Sequence, residues 1–217
     1  MERSKILIFS KFPEIRKVKS RLHPHLSYEE ILSFYKKLLD KTIINSTSAN
    51  IKTELWFDYD INKYKSIDNF NGLNVKKQCS GDLGEKMLFS INLSIKDGYN
   101  PILIGCDCPL ISQKDFLFTL NFLKKKDIVI KPTYDGGFCL ISLRKVHADL
   151  FKNIEWGTSQ VFKALVKNIL NINFSYKILS PTIDILYEKL IFKIDYFHDY
   201  IRIKKRFLYD SDLKSLF

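Results

Sequence analysis

The chain has 217 residues, of which 46% are apolar and 14% aromatic, and it carries a formal net charge of +11. This composition excludes a disordered or low-complexity chain and supports one domain with its own core. Its apolar runs, such as residues 6–9, are too short for a membrane span of about 20 residues. The first residues lack the apolar stretch of a signal peptide. We therefore expect a cytoplasmic protein whose four cysteines are reduced thiols, not zinc ligands.

Short apolar strands alternate with longer amphipathic helices along the sequence. We predict strands over residues 5–10, 51–58, 73–78, 101–105, 127–131, 138–143 and 175–179. We predict helices over about 28–43, 84–96, 112–126, 148–153 and 159–170. Strands that alternate with helices favour a mostly parallel sheet covered on both faces. Ligands of such sheets bind beyond the carboxyl ends of the strands, so the loops that follow the strands are the candidate site.

Polar residues predict where the helices begin. Ser27 and Glu30 form a capping box at the start of the first helix. Either Ser80 or Asp82 caps the second, and Ser112 the third. Thr158 or Ser159 is the expected cap of the last.

The loop after the first strand is strongly basic. Residues 11–21 contain five cations and one acid. A phosphate-bearing ligand there would meet the point charges of lysine and the forked donors of arginine. No Walker or dinucleotide-binding glycine motif is present. A solvated basic loop explains the same residues equally well.

The loop after the third strand contains Gln78 and two glycines three residues apart, Gly81 and Gly84. Glycines at a helix start allow a ligand to approach the backbone and expose N–H donors to an anion. The alternative is an ordinary turn in which Asp82 is simply the helix cap.

Two aspartates follow later strands. Asp107 comes directly after the fourth strand, where a carboxylate beside bound phosphates could hold Mg²⁺. A turn or cap residue is the alternative, and we interpret Cys106 and Cys108 as small buried residues. Asp135 lies in an Asp-Gly-Gly turn, in which Gly136 and Gly137 could clear room for a substrate. An ordinary hairpin turn accounts for the same three residues.

Together these loops resemble a bacterial family. The resemblance rests on Lys11 with residues 18–22, on 78–87, on 103–109, on 134–138 and on 156–161, in that order. The family is that of the small GT-A-type nucleotide-diphospho-sugar transferase-like proteins, which includes a subfamily of arsenosugar-biosynthesis glycosyltransferases. The match extends over roughly residues 5–190.

The resemblance implies a three-layer Rossmann-like sandwich with a mostly parallel, mixed sheet. It also implies one domain over 1–217, with a nucleotide-binding half (1–110), an acceptor half (111–190) and a C-terminal extension (191–217). The implied site residues are Lys11, Lys19 and Arg21 on the phosphates, Gln78, Gly81, Asp82 and Gly84 on the nucleotide, Asp107 on Mg²⁺ or Mn²⁺, and Asp135, Gly136 and Gly137 beside the acceptor, with Asp135 as the candidate catalytic base.

The sequence departs from the family at three places. Residues 14–15 replace a Pro-Gly pair, Cys106 replaces a threonine, and one carboxylate of a late Asp-x-Asp motif is missing near Asp184.

The expected function is a metal-dependent glycosyltransferase with a nucleotide sugar and a small acceptor as partners. A guanylyltransferase-like nucleotidyltransferase is the alternative. A nucleic-acid or anionic-surface module is a third hypothesis. It rests on the net charge and on the basic cluster at residues 202–206, which is interleaved with aromatics, but it lacks a recognised nucleic-acid motif.

Overall fold

A computed structural model of the chain describes residues 3–23, 25–58, 70, 72–180, 197, 198, 200 and 201. The strands within this part are β1 Arg3–Ser10, β2 Lys52–Phe57, β3 Asn74–Lys77, β4 Tyr99–Gly105, β5 Ile128–Pro132, β6 Phe138–Leu143 and β7 Tyr176–Ile178. The helices whose bounds lie within it are α1 Tyr28–Thr47, α2 Leu83–Lys96, α3 Gln113–Leu123 and α4 Val161–Asn171. A 3₁₀ turn occupies Ser20–Leu22.

The strands form one sheet in the order β3-β2-β1-β4-β6-β5-β7. β1 pairs in parallel with β2 and β4, β2 with β3, and β5 with β7. β6 alone among these strands runs antiparallel, against both β4 and β5. The connection from β5 to β6 is too short for the crossover that a parallel pair needs, so it closes as a hairpin. The predicted α/β class with a mostly parallel, mixed sheet is confirmed.

Helices cover both faces of the sheet, because its central strands are apolar on both sides. In β1, Ile6 and Ile8 point into a core shared with α1 and α3. The alternate residues Leu7 and Phe9 point into a second core shared with α2 and α4. The carboxyl edge of the sheet carries the loops that the sequence singled out.

Capping side chains fix where the helices begin. Ser27 Oγ accepts from the Glu30 backbone N–H at 3.2 Å, and the Glu30 carboxylate accepts from the Ser27 N–H at 2.8 Å, which confirms the predicted box. Of the two candidates for α2, Asp82 is the cap. Ser112 begins α3 as predicted. The Ser27 and Asp82 side chains accept from N–H groups that a helix start leaves without partners. At α3, the Ser112 N–H donates to the Asp115 carboxylate at 2.9 Å.

Three local predictions were wrong. Residues 148–153 form turns, not a helix, because a segment of six residues cannot repay the cost of nucleating one. α3 ends at Leu123, and Lys126 bonds back to Phe122 in a closing turn. The N-cap of α4 is Gln160. The Thr158 hydroxyl instead donates to the Glu155 carbonyl at 2.9 Å, which closes the preceding turn.

Two sequence features lie outside the described residues: Asp184, in the altered Asp-x-Asp region, and the basic aromatic residues from Arg202 onward. None of the helices in the described part of the chain has the length and hydropathy of a membrane span.

Candidate active site

A cavity of about 910 Å³ opens at the carboxyl edge of the sheet. Its wall includes the residues that directly follow β1, β2, β3 and β4, namely Lys11, Asp58, Gln78 and Cys106. The order of these strands reverses between β1 and β4, and α/β sheets bind their ligands at such a point. The volume is in the range of small-molecule sites.

The structure brings most of the predicted site residues into this one wall. The predicted residues that line the cavity are Lys11, Lys19, Arg21, Gln78, Asp107, Asp135 and Gly137. The remaining four, all of them described residues, lie outside the lining: Gly81, Asp82, Gly84 and Gly136. Residues 1–110 and 111–190 both contribute to it.

The basic loop is held by apolar side chains between its cations. Val18 and Leu22 are buried in the core beside α1. Lys19 lies between them in the left-handed region, with φ of 43°, and begins the 3₁₀ turn. This arrangement directs Lys19 and Arg21 into the cavity wall. The loop is therefore fixed by burial at two points and is not free in solvent.

The other cations of this loop have different surroundings. The Arg16 guanidinium lies 5.1 Å from the centre of the Tyr28 ring. Lys17 Nζ lies 2.8 Å from Glu14 Oε1 at an exposed position. The solvated-loop interpretation thus holds for part of the loop and fails for the part that enters the cavity.

Lys19 and Asp107 form an ion pair in the cavity. Lys19 Nζ lies 3.2 Å from Asp107 Oδ2, and their side chains are 9% and 18% exposed. The carboxylate thus belongs to the cavity and not to the protein interior, at an edge that also exposes Lys11 and Arg21. Such a partly buried pair is screened less by salt than a surface pair.

A second cluster lies behind this pair, around the hydroxyl of Tyr35. That hydroxyl lies 2.8 Å from Ser10 Oγ, 3.0 Å from Lys11 N and 3.2 Å from Cys106 Sγ. Burial raises the pKa of both the Tyr35 hydroxyl and the Cys106 thiol, and the neighbouring Asp107 charge raises the pKa of the thiol further. Both groups therefore stay protonated and neutral near pH 7. Cys106 and Cys108 are buried, as expected.

Gln78 reaches across the ends of two strands. Its side-chain amide nitrogen donates to the carbonyls of Trp56, at 2.9 Å, and Ser10, at 3.4 Å. Because both partners are acceptors, the amide nitrogen must face them. The contacts fix Gln78 at the end of β3, inside the cavity wall.

The Gly81–Gly84 segment is shaped mainly by packing. Asp82 is the α2 cap, and its carboxylate accepts from Glu85 N at 2.8 Å. A Cβ on Gly84 would come within 3.0 Å of Trp156 Cζ2, so glycine lets the helix start lie against the indole ring. For these residues the structure supplies a capping and packing reason, which was the alternative interpretation.

Asp135 follows β5 in a tight turn that also lines the cavity. Its Oδ1 accepts from the Thr133 hydroxyl and from Gly137 N. Gly136 has φ of 83°, its carbonyl accepts from Phe162 N at 2.8 Å, and a Cβ there would overlap the Ser159 carbonyl. The hairpin interpretation is thus correct for Gly136, while Asp135 and Gly137 face the cavity.

Sequence reasoning missed several residues of the wall. Tyr35 was not among the candidate site residues, although a buried tyrosine hydroxyl usually finds a polar partner. Ser10 was counted only as a strand end. Asp58 and Lys86 were not considered, yet both line the cavity. Asp58 Oδ1 accepts from Phe12 N at 2.9 Å.

The carboxylates available in the cavity determine how a divalent cation could bind. Among the described residues, no group of three or more His, Cys, Asp or Glu side chains could hold a metal ion. Mg²⁺ commonly takes only one or two carboxylates and completes its shell with water and substrate phosphate oxygens. Asp107 in the cationic cavity fits that kind of shared site, and no protein-only site is available in this part of the chain.

An α/β sandwich with an open carboxyl edge is the architecture of nucleotide-sugar transferase-like proteins. Residues 44–158 match the DUF2064 family, described as an uncharacterized protein conserved in bacteria, and this chain belongs to that family. The match agrees with the resemblance that the loop motifs indicated. No curated protein matches the chain.

Solved structures share the fold. A proposed nucleotide-diphospho-sugar transferase from Desulfovibrio desulfuricans G20 superimposes with a TM-score of 0.84 at 24% identity, over 99% of this chain and 91% of that one. A cytidylyltransferase from Leptospira borgpetersenii gives 0.60 at 15% identity, over 100% and 90%. Rv0371c from Mycobacterium tuberculosis, solved in complex with manganese, gives 0.51 at 12% identity, over 93% and 97%.

Proposed function

We propose that the protein is a transferase that binds the phosphates of a nucleotide-diphosphate sugar at the carboxyl edge of its sheet and transfers the sugar to a small acceptor. The observation that carries the proposal is the convergence of Lys11, Lys19 and Arg21 with Asp107 on the wall of one cavity. The resemblance of the fold to proteins described as transferases supports it.

The cations would act on the leaving group. In glycosyl transfer the bond between the anomeric carbon and a phosphate oxygen breaks, and the nucleoside diphosphate departs with the electron pair. Lys11, Lys19 and Arg21 would stabilise its developing charge, and one such donor contributes about 3–4 kcal/mol in comparable sites. A divalent ion held by Asp107 and the phosphates would supply further charge neutralisation.

The acceptor would enter beside the Asp135 turn. An acceptor hydroxyl would form the new bond to the anomeric carbon and lose its proton to a base. We assign this role to Asp135, whose carboxylate is oriented by Thr133 and Gly137 at the cavity wall. In this proposal residues 1–110 bind the nucleotide and residues 111–190 the acceptor.

Nucleotidyl transfer is the second candidate, because solved structures described as cytidylyltransferases share the fold. In that reaction an acceptor oxygen would attack the α-phosphorus of a nucleoside triphosphate, and pyrophosphate would leave. The same cations would then stabilise pyrophosphate instead of a nucleoside diphosphate. The two candidates therefore share the phosphate site and differ in the bond that breaks.

The test is to incubate the protein with each nucleoside triphosphate and with nucleotide sugars, with and without Mg²⁺ or Mn²⁺. Thermal shift would report binding, and released pyrophosphate or nucleoside diphosphate would identify the reaction. Arg21→Met should abolish the shift, whereas Arg16→Met, in the same loop but against Tyr28, should retain it. Equal shifts in both variants, or none with the unaltered protein, would contradict the proposal.

A further inference from the structure

Beyond the last paired residues of β1 and β4, the chain leaves the sheet in two separate loops. The strands are in register up to Phe9 and Gly105, and Ser10 is the last residue of β1. Beyond it, Lys11 and Asp107 project from separate loops into the same cavity. The distance between the Lys11 ammonium and the Asp107 carboxylate therefore depends on the contacts that join the two loops.

The hydroxyl of Tyr35 makes one such connection, in addition to the Lys19–Asp107 ion pair. It contacts Lys11 N at 3.0 Å and the Lys11 carbonyl at 3.1 Å on one side, and Cys106 Sγ at 3.2 Å on the other. Ser10 Oγ lies 2.8 Å away and donates to the Lys11 carbonyl, also at 2.8 Å. One hydroxyl group thus touches the residue that follows each of the two strands.

These contacts form one hydrogen-bonded network, in which either the Tyr35 or the Ser10 hydroxyl can donate to the other. A tyrosine hydroxyl has one proton to donate and oxygen lone pairs to accept with. Lys11 N–H and the Cys106 thiol donate to the Tyr35 oxygen, and the Tyr35 proton goes either to Ser10 Oγ or to the Lys11 carbonyl. Fully satisfied buried networks rigidify their surroundings.

The helix α1 holds Tyr35 itself in place. The tyrosine is 3% exposed and packs in the core beneath the sheet. Two turns along the same helix, Thr42 Oγ1 donates to the Leu38 carbonyl at 2.9 Å and shares this proton with the Cys106 carbonyl at 3.3 Å. The helix therefore contacts Cys106 at both its thiol and its carbonyl. These contacts hold the end of β4 in a fixed position relative to α1.

We propose that Tyr35 is a positioning residue of the phosphate site, which sets the spacing between Lys11 and Asp107 through the Lys11 backbone and Cys106. The inference rests on the proposed function and goes beyond it, because Tyr35 does not itself bind the ligand. Its contribution comes from keeping two charged side chains at a fixed separation, and misplacement of a site by about 1 Å can cost up to about 10²-fold.

Pyrophosphate is the probe, and calorimetry on the full chain is the measurement. We expect Tyr35→Phe, which retains the buried ring, to raise the pyrophosphate Kd at least about tenfold. A double-mutant cycle with Lys11→Met tests whether Tyr35 affects binding through Lys11. If Tyr35 acts through Lys11, the double variant should bind about as weakly as Lys11→Met alone, so that the two losses are not additive.

Ser46→Ala is the matched control, because it removes a buried hydroxyl from the same helix that bonds only within it, to the Thr42 carbonyl at 2.7 Å. It should leave the Kd unchanged. If Tyr35→Phe does not fold, Ser10→Ala breaks the same network and should weaken binding in the same non-additive way. A Kd within twofold of the unaltered protein, or additive losses, would overturn the positioning role. No pyrophosphate binding by the unaltered protein would overturn the proposed function as well.

Discussion

Charged side chains are arranged differently at the two ends of the sheet. Toward the amino ends of the strands, Lys5 and Glu54 lie 2.9 Å apart with side chains only 2% exposed. Lys76 and Asp97 complete this cluster, at 3.3 Å from Glu54 and 3.6 Å from Lys5. Because these cations and carboxylates contact one another, the charges of this cluster are paired within the protein.

At the carboxyl end, the charges surround an open cavity of about 910 Å³. The cationic side chains on its wall are Lys11, Lys19, Arg21 and Lys86. Two of the carboxylates there, Asp58 and Asp135, are oriented by hydrogen bonds within their own loops or to a neighbouring one. Burial thus separates charges that pair within the protein from charges that face a cavity, although the residue types are the same.

The largest effect is expected for Glu54→Gln. This change leaves the buried Lys5 ammonium without its closest carboxylate, and breaking a buried pair in this way costs about 3–5 kcal/mol. Urea denaturation should show the loss, and pyrophosphate affinity should not change in the folded protein. Asp97→Asn is the control, since the Asp97 side chain is 47% exposed and should contribute under about 1 kcal/mol. A larger loss for Asp97→Asn would contradict the assignment.

Lys19→Met should show the opposite pattern at the other end. We expect pyrophosphate affinity to fall by about 10–10²-fold, because one hydrogen bond to a charged phosphate is lost. The free energy of unfolding should fall by less than for Glu54→Gln, because the Lys19–Asp107 pair lines the open cavity. Lys17→Met removes an exposed cation of the same loop and should bind normally. Calorimetry measures the pyrophosphate affinity of both variants, and denaturation measures their stability. Equal affinities would contradict the distinction between the cavity-lining and the exposed cations of this loop.

Asp107→Asn should abolish the dependence of nucleotide-sugar binding on Mg²⁺ or Mn²⁺. The loss should be about 1.5–3 kcal/mol of binding free energy, typical of interactions with a charged group. Titrating the nucleotide sugar by calorimetry with and without the cation measures it. Retention of a metal-dependent binding enthalpy in the variant would remove Asp107 from the metal site.

Gly84→Ala should give the smallest effect and shows that some residues near the cavity are structural. The added Cβ would lie 2.9 Å from Phe151 Cβ and 3.0 Å from Trp156 Cζ2. Overpacking of this kind costs about 1–3 kcal/mol of stability. Thermal denaturation should report the loss, and saturating pyrophosphate should still raise the melting temperature. A variant as stable as the unaltered protein would show that the indole ring moves freely.

Local sequence patterns predicted much of the fold. The strand positions and the Ser27–Glu30 capping box depend on neighbours a few residues apart, and the structure confirms them. The short helix at 148–153 failed because a marginal local pattern does not overcome the nucleation cost. Lys19 and Arg21 were implied by the resemblance to the family, and they do line the cavity.

The sequence by itself determined the alternation of strands and helices, and with it the edge at which charged loops would gather, because periodicity and capping are local properties of the chain. Only the tertiary structure decided which cations enter the cavity, that Gly84 packs against Trp156, and that the Tyr35 hydroxyl joins the ends of β1 and β4. Those outcomes depend on contacts between residues far apart in the chain, such as Tyr35 and Cys106, and no local pattern encodes such a distance.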